Sequence, residues 1–349
     1  MSAREPSNMP PTIRDVAARS GVSPMTVSRV VNGSGRVRPE TRQRVKEAIT
    51  ALGYVPNNLA RNLTRQKTGA LALIVPDFAD PFFTLILRGA EHVARRAGYR
   101  VILCNTDGDL EREDAYLEDM VAHRVEGLLI APVGNQSRRN LRRLGPYPPP
   151  FVLVDRSIPG IESDLVQGDS VGGARVLVDH LLGLGHRRIA HITESQEVST
   201  ARDRLRGYTE ALAAADIPID SDFVKIAPAA NARGGYEAAQ RLLDCNPRPS
   251  AIFAVNNLTA VGAVTAIRER GLAIPRDMAV VCFDDIELAA LLCPFLTVMA
   301  QPAQTFGTLA VQLLLDRIAG RAGDRRRRVV LPADLIVRES CGAMPPAVV

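Results

Sequence analysis

The stretch TIRDVAARSGVSPMTVSRVVNGSGRV, residues 12–37, carries two short helical patterns that meet at a glycine. Thr12 is a good N-cap with Asp15 three positions on, and Ile13, Val16 and Ala17 make a short apolar face. That pattern is interrupted at Gly21, after which Ser23 caps a second helix with Pro24 at its first position and Val27, Val30 and Val31 along it. Two helices that cross steeply need a small residue at the crossing, a residue tolerant of positive φ in the turn, and an apolar anchor beyond it. Ala17, Gly21 and Val27 fill those places. A third helix is expected from Pro39 to Leu52, with Val45, Ile49 and Leu52 on one face and Gly53 as its stop. Residues 1–55 therefore read as a small all-α helix-turn-helix domain.

The charge is distributed to match. Residues 1–68 hold twelve Lys and Arg against four Asp and Glu, a net of +8, whereas the rest of the 349-residue chain holds thirty-one against thirty-four. A basic module on a mildly acidic body points to a polyanion as partner of the first part only, because Lys and Arg displace counterions from phosphates. On charge alone a solvated basic tail remains the alternative. Residues 56–68, containing NNLARNL after Pro56, are too short for a helix that persists alone in water, and read as a hinge or linker.

From residue 69 to 349, apolar strand-like runs alternate with amphipathic helices. ALALIV (70–75), VILC (101–104), GLLIA (127–131) and FVLV (151–154) make one series; RIAHI (188–192), FVKI (223–226), AIFAV (251–255) and AVVCF (279–283) make a second. Continuous apolar strands between helices imply parallel sheets covered on both faces, and two series imply two lobes. In such sheets a ligand binds beyond the carboxyl ends of the strands, so a cleft between the lobes is the expected site. The segments there are PDFADPFF, TESQEVSTARDRLRGY, NN and FDD.

Residues 12–37, with TRQRVKEAITALGYVPNNLARNL at 41–63, resemble the DNA-binding headpiece of the LacI/GalR family of bacterial regulators. The resemblance implies a two-lobed, periplasmic-binding-protein-like effector domain with two parallel sheets after the helical headpiece. It also implies that the second helix enters the major groove, with Pro24, Met25 and Arg29 toward bases and Thr12, Ser23, Thr26, Ser28 and Asn32 on or near phosphates. Arg29 can pair bidentately with a guanine and Met25 offers apolar contact, whereas Pro24 donates nothing, a departure from polar readers at this helix start. Asn57 belongs to the matching hinge, and Leu63 matches the leucine that the family presses into the minor groove; an ordinary linker would give Leu63 no such role.

For the effector, the resemblance carries over Asp80, Phe82, Phe83, Asp169, Arg204, Asn256, Asp284 and Gln301. Carboxylates, amides and a guanidinium suit ring hydroxyls, and a phenylalanine can cover an apolar sugar face. Phe82 and Phe83 could equally be core beside the cleft, and Asp169 could simply cap its helix. Asp80 stands where sugar-binding relatives often place Asn, and Asn257 where Asp is common. The partners implied are double-stranded operator DNA, a sugar-like effector and a second copy of the chain, with pairing of dimers into tetramers left open.

Other classes find little support. There is no G-x-S-x-G elbow, Walker loop, H-E-x-x-H or zinc spacing, so no enzyme, metal or cofactor is expected. The five cysteines are scattered and never in a C-x-x-C pair. No apolar run approaches the roughly 18 residues of a membrane span, and a cytoplasmic protein is expected. The RRRR run at 325–328 reads as a solvated loop. A purely architectural DNA protein would have no need of a cleft lined by Asp80, Arg204 and Asp284.

Overall fold

A computed structural model describes residues 10–55, 68–144, 148–286 and 295–343. The chain divides into two compact units, Met1–Thr68 and Gly69–Val349. In the first, α1 (Ile13–Ser20), α2 (Pro24–Asn32) and α3 (Pro39–Leu52) close around Val16, Ala17, Val27, Val45 and Ala48. Gly21, between α1 and α2, takes the left-handed φ of 64° that the turn requires, for which a residue without Cβ has no steric cost. The start of α1 is held by Thr12, whose N–H and hydroxyl both donate to the Asp15 carboxylate at 2.7 Å.

The second unit contains two six-stranded sheets. In lobe 1, β1 (Ala70–Val75), β2 (Arg100–Asn105), β3 (Gly127–Ile130), β4 (Phe151–Val154), β5 (Asp164–Gly168) and β11 (Arg328–Leu331) lie in the order β11-β5-β4-β3-β1-β2. In lobe 2, β6 (Ile189–Thr193), β7 (Val224–Ile226), β8 (Ala251–Ala254), β9 (Ala279–Phe283), β10 (Thr297–Ala300) and β12 (Asp334–Ile336) lie in the order β12-β10-β9-β8-β6-β7. Every pairing is parallel except that of β12 with β10.

Helices cover both faces of each sheet, as continuous apolar strands demand. In lobe 1, α4 (Pro81–Arg96) and α11 (Ala303–Ile318) pack on one face, and α5 (Leu110–Ala122) and α6 (Ser137–Arg142) on the other. In lobe 2, α9 (Ala232–Leu243) and α10 (Asn257–Glu269) oppose α7 (Ser170–Gly183) and α8 (Ser199–Ala214). The second sheet thus repeats the strand order of the first.

The chain passes between lobes three times: from β5 to α7, from β10 to α11, and from β11 to β12. Two of these crossings touch, since a Cβ on Gly168 would stand 1.9 Å from Gln301 Oε1 and would push that side chain aside. Strand β11 and helix α11 consequently belong to the lobe that the first half of the chain builds.

Candidate functional site

In the headpiece, the outer side of α2 presents Met25 (64% exposed), Arg29 and the half-buried Ser28 and Asn32, while Val27 points into the core. Ser23 caps α2 by accepting the Thr26 N–H at 3.3 Å, and the Ser23 and Thr26 hydroxyls lie 3.0 Å apart. Asn32 donates to Ser28 Oγ at 3.1 Å. Arg29 lies along Gly35 and pairs with no carboxylate among the described residues, leaving its guanidinium available. The arrangement is a helix with one apolar face buried and one polar face presented, the geometry that inserts into a major groove. Asn57 and Leu63 lie outside the described residues.

Between the two lobes of the second unit lies a cavity of about 660 Å³. Its walls come from the carboxyl ends of strands in both lobes: Asp77, Asp80 and Phe83 after β1, Asp107 after β2, Gln136 after β3, Arg156 after β4, Glu194 and Glu197 after β6, Asn231 after β7 and Asn256 after β8. This is where open parallel sheets place ligands, because the loops there leave the strands at the reversal of strand order.

Of the residues expected at this site, Asp80, Phe83 and Asn256 line the cavity. Asp80 and Asn256 also cap helices, Asp80 accepting from the Phe82 N–H at 2.9 Å and Asn256 from the Thr259 N–H at 2.9 Å. Phe82 turns instead into the lobe 1 core, edge-on to Phe306 with centroids 5.7 Å apart. Asp169 is exposed at a lobe crossing and caps α7 through the Gly172 N–H at 2.8 Å.

Arg204, Asp284 and Gln301 form a connected group that is not part of the cavity wall. Arg204 Nη1 donates to the Val255 carbonyl at 2.6 Å, its guanidinium lies 4.0 Å from the Phe283 ring centroid, and Nη2 is 3.6 Å from Asp284 Oδ2. Gln301 donates to Asp284 Oδ1 at 2.8 Å. Burial raises the Asp284 carboxyl above its ordinary value, against the opposing pull of Arg204. Asp155 and Asp284, which follow the fourth strand of each lobe, both hold a left-handed φ, 64° and 65°. Short polar side chains tolerate that conformation better than branched ones do.

The closed cleft is fastened from both sides. Asn135 N–H donates to the Glu197 carbonyl and Ser157 N–H to Ser199 Oγ, each at 2.9 Å, and Arg156 Nη2 approaches Glu194 Oε1 at 4.0 Å. The two positions that depart from the resemblance meet across it: Asn257 Nδ2 donates to Asp80 Oδ1 at 3.4 Å. The pair keeps one carboxylate and one amide, with their lobes exchanged.

Sequence reasoning did not single out Asp77, Asp107, Gln136, Arg156, Glu194, Glu197 or Asn231. The signal was present, since each follows a strand; applying the strand-end rule to all eight apolar runs would have found them. It also missed Glu113, far from any strand end. Buried on α5, Glu113 accepts from Val133 N–H and Ser137 Oγ at 2.9 Å and from Asn140 Nδ2 at 3.2 Å, and so fixes the loop that carries Gln136. Only the fold brings these groups together. Among the described residues no cluster of His, Cys, Asp and Glu could hold a metal ion, and no helix is long and apolar enough to cross a membrane.

Comparison with known proteins agrees with this division. Residues 12–57 match the family described as bacterial regulatory proteins, lacI family, and residues 178–341 a periplasmic binding protein-like domain. The chain is 34% identical to the HTH-type transcriptional regulator DegA of Bacillus subtilis (strain 168), over 95% of this chain and 98% of that one. It is 35% identical to the ribose operon repressor of Escherichia coli (strain K12), over 92% and 97% of the two chains. Among solved structures, the lac repressor dimer bound to operator and the anti-inducer ONPF superposes with a TM-score of 0.84 at 28% identity, covering 96% of this chain and 100% of that one. The transcriptional regulator CelR–cellobiose complex gives 0.70 at 34% identity, covering 95% and 99%. The chain belongs to the lacI family of bacterial regulatory proteins: it is a DNA-binding transcriptional repressor with a periplasmic-binding-protein-like effector domain, and not an enzyme.

Proposed function

We propose that this repressor binds a palindromic operator as a homodimer and that a sugar or sugar derivative, held between the two lobes, controls it. The observation that carries the reading is the cavity itself. At about 660 Å³ it lies in the range of small-molecule sites, roughly 300–1,000 Å³, and its wall combines one ring, Phe83, with carboxylates, amides and Arg156. Alternating donors and acceptors suit a hydroxyl-rich ligand. A ribose operon repressor and a cellobiose complex stand among the relatives, which supports the same class.

Residues 1–55 act as the headpiece, 56–68 as the hinge and 69–349 as the effector and dimerisation domain. Thr12, Ser23, Thr26, Ser28 and Asn32 bind or orient phosphates, Pro24, Met25 and Arg29 face base edges, and Asn57 and Leu63 act in the hinge. Asp80, Phe83 and Asn256 touch the effector, with Arg204, Asp284 and Gln301 supporting the site from below. Two headpieces are needed to reach successive major-groove faces, hence the dimer. Closure of the lobes alters how the paired hinges meet DNA, and by reciprocity DNA alters effector affinity by the same factor. Such a protein works in the cytoplasm, where its operator is.

The test is selection of bound duplexes from a random pool by the full-length protein, followed by titration of the enriched duplex with a panel of neutral sugars, amino sugars and sugar acids. An enriched two-fold-symmetric site whose occupancy one panel member changes is the expected result. Equal retention of all sequences at moderate salt would remove the reading.

A further inference from the structure

The contact between the lobes buries a carboxylate for which the described residues provide no cation. Asp80, on lobe 1, is 6% exposed and, among the described residues, accepts from the Phe82 N–H at 2.9 Å and from the Asn257 amide of lobe 2 at 3.4 Å. The charged groups around it are engaged elsewhere or share its sign. On its own loop, Asp77 is a second carboxylate. From lobe 2, Asp284 faces it, with Arg204 committed to Asp284 and to the Val255 carbonyl, and Asp285 is tied to Arg338 at 2.6 Å. On lobe 1, Arg156 serves Asp155 at 3.7 Å, Glu194 and the carbonyls of Pro132 and Val133. Among the described residues no Lys or Arg forms an ion pair with Asp80.

An ionised carboxylate held away from water without a cation costs several kcal/mol, and the least expensive remedy is a proton. Asn257 and Asp284, which press on Asp80 from lobe 2, do so only while the lobes are together, so part of the cost belongs to the closed cleft alone. We propose that closing the two lobes loads a proton onto Asp80, so that acid favours the closed cleft and the repressor's effector response is coupled to pH. Burial, reinforced by Asp284, pushes the Asp80 carboxyl up to about 7 in the closed form, while water in an open cleft returns it toward 3.8. The closed form then holds more protons between those values. Its ratio to the open form therefore falls as pH rises through that window and is level above it.

The inference rests on reading the cleft as a closing effector site, but its test needs neither effector nor DNA, so its failure would leave operator selection untouched. The chain has no tryptophan. Gln136→Trp places a single reporter on the exposed lip of lobe 1, next to Asn135, whose N–H reaches the Glu197 carbonyl of lobe 2. In the full-length protein, its fluorescence is followed from pH 5 to 8. A transition is expected whose midpoint moves down by at least one pH unit, or vanishes, when Asp80→Asn is added; asparagine retains the helix cap, so the fold is preserved. Asp284→Asn, which removes the repelling charge and keeps a residue suited to left-handed φ, should also lower the midpoint. No transition, or one with the same midpoint in the Asp80→Asn protein, would overturn the proposal.

Discussion

Arg204 Nη2 stands 3.6 Å from Asp284 Oδ2, and both side chains are almost wholly buried between the second lobe and the cleft. A pair so enclosed gains from its Coulomb attraction only as long as both members are present. Arg204→Met leaves the Asp284 carboxylate alone and should lower unfolding stability by about 3–5 kcal/mol. Adding Asp284→Asn should restore much of the loss, because the second change removes the stranded charge. Urea denaturation of the two variants at pH 7.5 checks this, and equal stability of single and double variants would contradict it.

Arg29 extends from the presented face of α2 without a carboxylate partner among the described residues. A bidentate contact to guanine through such a side chain contributes about 1–3 kcal/mol of discrimination. Arg29→Ala should therefore relax base preference at one position of each half-site and weaken binding by that amount, while melting of the headpiece is unchanged. Competition binding with single-base operator variants reads both effects.

Helices α4 and α11 of lobe 1 meet closely at Gly89 and Gly307. A Cβ on Gly89 would lie 1.9 Å from the Gln304 carbonyl oxygen, and one on Gly307 the same distance from the Ile86 carbonyl oxygen. The backbone cannot yield as a flexible side chain could, so overpacking here should cost at least the usual 1–3 kcal/mol, about. Gly89→Ala should lower the thermal midpoint of the body by several degrees, whereas Gly183→Ala, with open space around it, should not. Calorimetry on both variants makes the comparison.

His191 is stacked on Phe253 with centroids 4.4 Å apart and on Tyr208 at 5.3 Å, and its Nδ1 lies 2.9 Å from the Phe253 carbonyl. Burial drives its value down to about 4 from the ordinary 6.5. The folded ring stays neutral while the unfolded one takes a proton, so stability falls as pH drops from about 6.5 to 4 and is unaffected above 6.5. A shift of that size corresponds to about 3 kcal/mol. His191→Phe should flatten this acid limb of the stability profile; a limb of unchanged slope would show that other groups produce it.

The three helices of the headpiece were legible in the chain, because they are set by neighbours in sequence. Thr12 with Asp15, Ser23 with Pro24, and the glycines at 21 and 53 mark helix ends locally; the expected start of the second helix and both expected bounds of the third coincide with α2 and α3, whereas the stop of α2 at Gly33 was not anticipated. The eight apolar runs likewise appear as strands; the central ones are covered on both faces and so must be continuously apolar, while the edge strands β2 and β7 remain partly exposed. The strands β5, β10 and β12 were not anticipated. β5 includes Asp164, whose carboxylate is held by Arg317 and Arg327, and a polar residue inside a strand masks the apolar run.

What local pattern could not decide is which lobe receives the end of the chain, and which side chains reach the cleft. Helix α11 and β11 return to lobe 1 after five of the six lobe 2 strands, and β12 then goes back to lobe 2, a choice made by packing against α4 and β5 from more than a hundred residues away. The same long-range packing turns Phe82 toward Phe306 while Phe83 lines the cavity, and sets Asp80 against Asn257 across 177 residues of sequence. Residue type and spacing determine helices, strands and their order. Which groups share a buried space depends on contacts between distant segments, and so does the charge each can keep there.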